Sequence, residues 1–332
     1  MRQRVAVIHN AVSPSRYDQL GERQAVAGVL DAVEAVSIAL SELDYEVVSV
    51  PLEPPVEEAV ARLKSLDVDL VFNLFEGFSG CPETEAEIAD VLVTLGVPHT
   101  GCPAPVLRLG LDKTRVKEIL RYDGIDTPAF QVLNSETVSA FRLRYPCIVK
   151  PCGEDASHGI SQESVVDSPC ALKEQVARVS DSYGGRALVE EFIDGREFNV
   201  TVLSNSNVSV LPVSEIDYDL PSGAARILTY AAKWEPTSPE YGGTKAVCPA
   251  RITNGDRARI EEVALHVFRL LGCRGYARID LRADRKGRMN VLEVNPNPDI
   301  SPGSGAVRQA EAAGMTYAQF IRTITEIALE RS

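Results

Sequence analysis

Positive charge is in short supply: the 332 residues carry 34 Lys and Arg against 47 Asp and Glu, a formal net charge of -13. That acidity argues against a general nucleic-acid binder and against a polybasic membrane-surface protein, because both set cations against phosphates. It still allows a local basic pocket. No stretch approaches the roughly 18 consecutive apolar residues of a membrane-spanning helix. The run Val5-Ala6-Val7-Ile8 after a charged tip is too brief for a signal-peptide core and reads as a first strand, so a cytoplasmic protein is expected. Histidine is scarce, and His9, His99, His158 and His266 are too scattered for a His-rich zinc site. The seven cysteines form no C-x-x-C pair and their odd number leaves one unpaired, which points to free thiols in a reducing compartment. Internal repeats and low-complexity segments are absent, as is the Walker pattern G-x-x-x-x-G-K-[ST], which disfavours the P-loop class.

What is present is an ordinary folded composition, 45% apolar and 24% charged, at a length suited to two or three domains. The first hundred or so residues alternate β-branched runs with amphipathic stretches, the pattern of a parallel sheet with crossover helices. Strands are expected at 5–8, 45–50 and 68–73, with helices at 22–43, 56–66 and 82–95. A Pro-bearing loop (Pro103, Pro105), a basic helix at 112–122, strands at 129–132 and 145–150, a Gly-bearing loop at 153–159 and a helix at 169–181 follow. Beyond Arg186 come β runs at 187–192 and 197–203, a long irregular stretch at 217–251 and a helix at 256–271. Strands at 276–281 and 289–294 and helices at 305–313 and 317–330 complete the chain. The expected fold class is α/β with α+β units, divided as 1–101, 102–186 and 187–332.

Three constellations carry chemistry. In Arg278-Ile279-Asp280-Leu281 and Leu292-Glu293-Val294-Asn295, strand alternation puts Arg278 with Asp280 on one face and Glu293 with Asn295 on one face. A hairpin-like return through Gly287 lets Asp280 meet Glu293 and Asn295, an all-oxygen set suited to Mg²⁺. Polar residues on the solvated face of a hairpin give the same alternation. Lys150 ends an apolar strand beside the small-residue loop 153–159, where a lysine can hold a phosphate as a point charge under loop amides; an exposed lysine before a turn reads the same way. Leu188-Val189-Glu190-Glu191-Phe192-Ile193-Asp194-Gly195-Arg196-Glu197 is an apolar strand running into carboxylates, an arrangement open to a purine and ribose hydroxyls, or simply a hairpin with charged ends.

In order, Lys113, Tyr145-Pro146-Cys147-Ile148-Val149-Lys150-Pro151, the 189–197 segment, Arg278-Ile279-Asp280 and Glu293-Val294-Asn295-Pro296 resemble the ATP-grasp superfamily. Within it the D-alanine:D-alanine ligases are nearest, and the likeness runs over nearly the whole chain, through Phe72-Asn73-Leu74-Phe75-Glu76-Gly77 and Val97-Pro98-His99-Thr100-Gly101. The resemblance implies an N-terminal open α/β domain followed by two α+β subdomains that clasp ATP. It assigns Lys113 and Lys150 to the ATP phosphates, Glu190, Glu191, Phe192 and Ile193 to adenine, and Glu197 to the ribose. Asp280, Glu293 and Asn295 would hold two Mg²⁺ ions, with Mn²⁺ as a substitute. The loop 153–159, with Ser157, would close over the triphosphate, and Lys233 matches a mobile-loop lysine. Arg278 would stabilise charge on the transferred phosphoryl group and the tetrahedral centre.

The implied activity is an ADP-forming ligase acting on amino-acid or small peptide substrates through an acylphosphate, with a homodimer through the N-terminal domain or a monomer. Departures from the family fall in the amino-acid half. The opening reads His9-Asn10-Ala11-Val12-Ser13, the family's second H-G is Glu76-Gly77, its serine pair is Ala156-Ser157, its mobile-loop tyrosine is Trp234, and Asp299 replaces a glycine. Glu76 and Asp299 add negative charge near a substrate carboxylate, which suits an amino group or a larger, basic or peptide-like substrate; drift at non-contact positions is the alternative. Ser304 is the candidate for a substrate carboxylate and Glu22 for the first substrate's amino group. A specialised-metabolism ligase with other substrates, or a catalytically silent ATP-binding sensor or partner subunit, remain the competing readings.

Overall fold

The computed structural model describes residues 2–11, 20–78, 81–204 and 208–330. Val12 and Ser13, part of the divergent opening, lie outside the described residues. The N-terminal unit runs β1 (Arg4–Asn10), α1 (Arg23–Glu42), β2 (Glu46–Leu52), α2 (Val56–Lys64), β3 (Leu70–Leu74) and α3 (Thr84–Leu95). Its three strands pair in parallel in the order β2-β1-β3. Val5, Ala6, Val7 and Ile8 are fully buried because a parallel strand is covered on both faces.

The Pro-rich loop is in fact helix α4 (Ala104–Gly110), with Pro103 as its N-cap and a proline within its first two positions. Proline in the first turn forfeits no helical hydrogen bond, so Pro103 and Pro105 mark a helix start and not a break. Helix α5 (Lys113–Tyr122) follows, capped by the Asp112 side chain, which accepts from Arg115 N at 2.9 Å. Then come β4 (Phe130–Leu133), β5 (Cys147–Pro151), β6 (Val165–Val166), α6 (Pro169–Ser182) and β7 (Ala187–Glu191). They build an antiparallel sheet in the order β4-β7-β5-β6, with Leu172, Val176 and Val179 of α6 in its core. Strand β7 therefore lies inside the central sheet, and the sheet boundary falls after Glu191 and not at 186/187. Its placement between β4 and β5 is what the apolar run at 187–189 needs for full burial.

The last unit holds β8 (Glu197–Ser204), β9 (Val208–Val210), β10 (Ser214–Tyr218), α7 (Tyr230–Trp234), α8 (Pro239–Gly243) and β11 (Thr244–Val247). It continues with α9 (Asn254–Leu270), β12 (Gly275–Ala283), β13 (Met289–Asn295), α10 (Gly305–Ala312) and α11 (Tyr317–Leu329). Strand order is β11-β10-β8-β12-β13, with β9 on β8. The stretch 217–251, expected to be irregular, contains the end of β10, the short helices α7 and α8, and β11; segments so short carry too little periodicity to read. Helix α11 starts with a capping box from Thr316 and Gln319, and its Phe320, Ile321 and Ile324 share one core with Val36 and Leu40 of α1 and with Val5 and Phe72 of the first sheet. The C-terminus thus completes the N-terminal core. All seven cysteines are free, as expected, and no helix among the described residues is long and apolar enough to cross a membrane.

The link from β7 to β8 passes so close to β12 that a Cβ on Gly195 would lie 1.7 Å from Ala283 O. Backbone cannot yield as a flexible side chain can, so Gly195→Ala should destabilise the fold by about 1–3 kcal/mol. Gly242→Ala, at a position with nothing within 4 Å, is the control. Thermal unfolding should show a lower midpoint for the first variant and little change for the second.

Candidate active site

A cleft of about 890 Å³, part of it open to solvent, lies between the central sheet and the last sheet. Lys113, Lys150, Ser157, Glu190, Glu191, Phe192, Ile193, Glu197, Lys233, Asp280 and Glu293 all line it. Residues from widely separated segments, singled out by strand ends and loops, therefore meet in one place.

Strand pairing builds the acidic edge of the cleft. In the β12–β13 ladder Asp280 faces Glu293 and Arg278 faces Asn295, with a register shift between Asp280 and Leu281. Bulges of this kind re-aim side chains beside functional sites. The Arg278 guanidinium donates to both oxygens of Asp280 at 2.8 Å, and Asn295 Nδ2 donates to Asp280 Oδ2 at 3.1 Å. Burial alone would lower the Arg278 pKa, but the Asp280 carboxylate raises it above the ordinary value. Lys113 Nζ lies 2.7 Å from both Glu293 Oε1 and Asp155 Oδ1. Burial pushes the Glu293 carboxyl up, yet the Lys113 ammonium outweighs it and brings it down to about 2. Lys233, on α7, is pulled below the usual ammonium range by burial and then by Arg278, against the pull of Glu293 and Asp280.

The basic edge is more tightly paired than the sequence suggests. Glu190 is 1% exposed and sits between two lysines, with Lys117 Nζ 2.7 Å from Oε1 and Lys150 Nζ 2.7 Å from Oε2. Burial raises its carboxyl, and Lys117 and then Lys150 more than reverse the effect. Lys150 thus faces Glu190 here, and Lys113 faces Glu293 and Asp155. The Glu191 side chain is engaged by Arg144 Nε at 3.1 Å and Nη2 at 2.9 Å, which leaves its backbone for the cleft. The Arg282 guanidinium lies over the Phe192 ring, 5.1 Å from its centroid. Glu197 accepts from Tyr218 Oη at 2.8 Å and from Arg282, both on Oε2.

The loop over the cleft is pinned from two sides. Ala156 and Ser157 adopt left-handed φ of 53° and 64°. Ser157 Oγ donates to Leu228 O at 2.8 Å, and Trp234 Nε1 donates to Ala156 O at 3.0 Å. From the other side comes Glu22, the candidate for a substrate ammonium, which here is engaged by protein groups. Its Oε2 lies 2.7 Å from His158 Nδ1, while Oε1 accepts from Gly159 N at 3.0 Å and Tyr183 Oη at 3.1 Å. A carboxylate so fully engaged, and 8% exposed, clasps the N-terminal unit to the phosphate-side loop. His158 and Tyr183 were not singled out in the sequence, because partners so far apart along the chain leave no local pattern. Lys117 and Arg282 do leave one: Lys117 is four residues after Lys113 on α5, and Arg282 continues the alternation of Arg278 and Asp280 on β12.

Ser304, Asp299 and Glu76 do not line this cleft. Ser304 is the N-cap of α10, with its Oγ buried and without a hydrogen-bond partner among the described residues. The next residue, Gly305, packs against Arg278, whose Cδ would lie 3.8 Å from a Cβ there. Asp299 Oδ1 accepts from Ser301 N at 2.7 Å. Glu76 opens to solvent on one side and is surrounded by protein on the others; burial, then Asp299, Glu85 and Asp155, push its carboxyl up to about 8. Burial likewise pushes Glu85 up to about 7, against a hydrogen bond from Asn297 Nδ2 at 3.0 Å.

The model of the family described as D-ala D-ala ligase C-terminus matches residues 119–326, more than half of the chain. The chain belongs to the D-alanine–D-alanine ligase family. With membership comes the reaction class, ATP-dependent amide-forming ligation on an ATP-grasp fold. Among similar proteins of this ligase family, a D-alanine--D-alanine ligase of Alcanivorax borkumensis is 30% identical over 84% of this chain and 83% of its own length. An uncharacterized protein, y4sG of Sinorhizobium fredii, is 36% identical over 79% of this chain and 75% of its own. A D-alanine--D-alanine ligase from Bacillus anthracis, solved with ATP, superposes with a TM-score of 0.75 at 23% identity, covering 100% of this chain and 98% of that one. The VanG D-Ala:D-Ser ligase from Enterococcus faecalis gives 0.76 at 21% identity, covering 99% and 100%.

The raised carboxyls of Glu76 and Glu85 have a pH consequence. In the folded protein they keep protons that the unfolded chain, with carboxyls near 4.5, has already released. Their contribution to stability is therefore complete below about pH 4.5 and is lost as pH rises through about 7 to 8. The double variant Glu76→Gln/Glu85→Gln should flatten the decline in unfolding midpoint from about pH 5 to about pH 8. An unchanged slope in thermal melts would show that the two carboxyls titrate normally.

Proposed function

We propose that the chain is an ATP- and Mg²⁺-dependent carboxylate–amine ligase that joins two amino acids, with D-alanine:D-alanine ligation as the first substrate pair to test. What carries the reading is the convergence of Lys113, Lys150 and Lys233 on one cleft with the cross-strand pair Asp280 and Glu293, Asp280 being held from behind by Arg278. Several cations facing two carboxylates suit a triphosphate with its metal.

The donors fit a hard divalent ion: Asp280 and Glu293 offer carboxylates, Asn295 a carboxamide oxygen, and Glu293 is held ionised. No group of three or more His, Cys, Asp or Glu able to hold a metal exists among the described residues, so phosphate oxygens and water would complete the shell. Two Mg²⁺ ions, or Mn²⁺ in their place, would neutralise charge between the phosphate oxygens.

In this reading Lys113 and Lys150 hold the phosphates, and the loop amides at 153–159 with Ser157 cover them. The backbone of Glu191 to Ile193 borders the adenine together with Glu190, and Glu197 uses Oε1 for the ribose. A carboxylate oxygen of the first amino acid attacks the γ-phosphorus and the bond to ADP breaks. The amine of the second attacks the acyl carbon, the C–O bond to phosphate breaks, and the amine loses a proton. Arg278 and Lys233 stabilise the charge that develops, while Ser304 and the N-terminus of α10 meet a substrate carboxylate. No protein nucleophile is required. Catalysis is positioning and preorganised charge.

Burial, and the crowding of Glu76 and Glu85 with Asp299 and Asp155, push the first two carboxyls up. An added positive charge would relieve the crowding, which favours a second reading of the substrate, a specialised-metabolism pair in which one partner carries an additional ammonium or is peptide-like. Both readings suit a cytoplasmic enzyme with access to the ATP pool, assembled as a homodimer through the N-terminal unit. Phosphate release from ATP, screened over D- and L-amino acids singly and in pairs, separates them. Release with D-alanine alone supports the default pair; release with other pairs supports the second reading. Binding of ATP without turnover would instead make the chain a silent sensor or partner subunit. Arg278→Ala, Asp280→Ala and Glu293→Ala should each lower turnover by about two to three decades. Near wild-type rates in a folded Arg278→Ala would overturn the assignment.

A further inference from the structure

Lys117 has no place in the reaction above, yet it is one of the most deeply buried charges in the molecule, its side chain 2% exposed. It does not line the cleft. Its Nζ lies 2.7 Å from Glu190 Oε1 and donates to Thr127 Oγ1 at 2.9 Å, and that hydroxyl donates onward to Val291 O at 2.8 Å on β13. Lys150, 18% exposed and facing the cleft, meets the other oxygen of the same carboxylate. Glu190 thus has one counter-ion on the protein side, fixed by a hydroxyl, and one on the ligand side.

That asymmetry matters because a carboxylate 1% exposed cannot be left without a counter-ion at small cost. If Lys150 were its sole partner, drawing Lys150 toward a ligand phosphate would strand a buried negative charge. We propose that Lys117 is a positioning residue, the resident counter-ion of Glu190, which frees Lys150 to exchange the carboxylate for the phosphates of a nucleoside triphosphate. The inference rests on the nucleotide reading of the cleft. Repulsion works in the same direction: burial lowers the Lys117 pKa, Glu190 opposes this, and the nearby Lys150 lowers it further. Two ammonium groups crowd one carboxylate, and departure of the exposed one relieves the crowding. Helix α5 then has a divided task, with Lys113 facing the cleft and Lys117, one turn later, supporting it from behind.

The test is a double-mutant cycle on the full chain, with Lys117→Met, Glu190→Gln and Lys117→Met/Glu190→Gln, read by calorimetric binding of ATP and of adenosine. Lys117→Met should weaken ATP about tenfold or more while adenosine changes by less than about twofold, because Lys150 stays on Glu190. KM for ATP should rise and kcat at saturating ATP should hold. The double variant, with no carboxylate to strand, should return the ratio of ATP to adenosine affinity to within about threefold of wild type, since any change at the adenine edge from Glu190→Gln acts on both ligands alike. An equal loss for ATP and adenosine, or an ATP-to-adenosine ratio in the double variant no better than in Lys117→Met, would reduce Lys117 to a structural part and overturn the proposal. If Lys117→Met does not fold, Lys117→Gln, which keeps a donor without the charge, carries the same expectation. Failure of the wild-type chain to bind ATP would defeat the nucleotide reading itself; wild-type binding with an unchanged ATP-to-adenosine ratio in the variant would defeat this inference alone.

Discussion

Carboxylates met by lysines, one fully buried and one at the edge of the cleft, hold this molecule's parts in place. Glu190 on β7 requires Lys117 from α5 and Lys150 from β5; Glu293 on β13 requires Lys113 from α5. For Glu190, 1% exposed, loss of both lysines would strand a charge that cannot reach water, at a cost of about 3–5 kcal/mol; Glu293, 28% exposed, would lose less. Helix α5 therefore ties the central sheet, through Lys117 and Glu190, to the last sheet, through Lys113 and Glu293. The cleft between the sheets owes its shape to this constraint as much as to apolar packing.

A second constraint acts across the N-terminal unit. Glu22 joins the start of α1 to the loop at 153–159 through His158, Gly159 and Tyr183, and Trp234 and Ser157 join the same loop to the segment around α7. Two of that loop's residues sit in left-handed backbone without being glycine, a conformation that persists where surrounding contacts overdetermine it. Together with α11, whose apolar face fills the core of the first sheet, these contacts make the N-terminal unit and the loop over the cleft one mechanical assembly. An amino-acid substrate and a triphosphate would be read by parts that are coupled before either arrives.

Local pattern revealed more of the cleft between the two later sheets than of the contacts around it. Strand alternation placed Asp280, Glu293 and Asn295 together, and the β12–β13 register sets them as expected. The apolar run into 190–197 and the strand end at Lys150 both arrive at the cleft. The protein partners of Glu22 were not legible, because a lone carboxylate at a helix start carries no sign of what will face it, and those partners lie more than a hundred residues away. The short helices α4, α7 and α8 escaped notice since so few residues show no periodicity, and proline in a first turn resembles a break.

The sequence by itself determined the element pattern, the family and the chemical types of the residues in the cleft, because hydrophobic period, capping and motif order are local properties of the chain. Only the tertiary structure decided which charges are partners: that Lys150 and Lys117 share Glu190, that Glu22 is a clasp, and that Glu76 and Glu85 lie where their carboxyls are pushed up. Pairing and pKa depend on burial and on distances of a few ångströms between segments far apart in the chain, and neither is written in any one stretch of sequence.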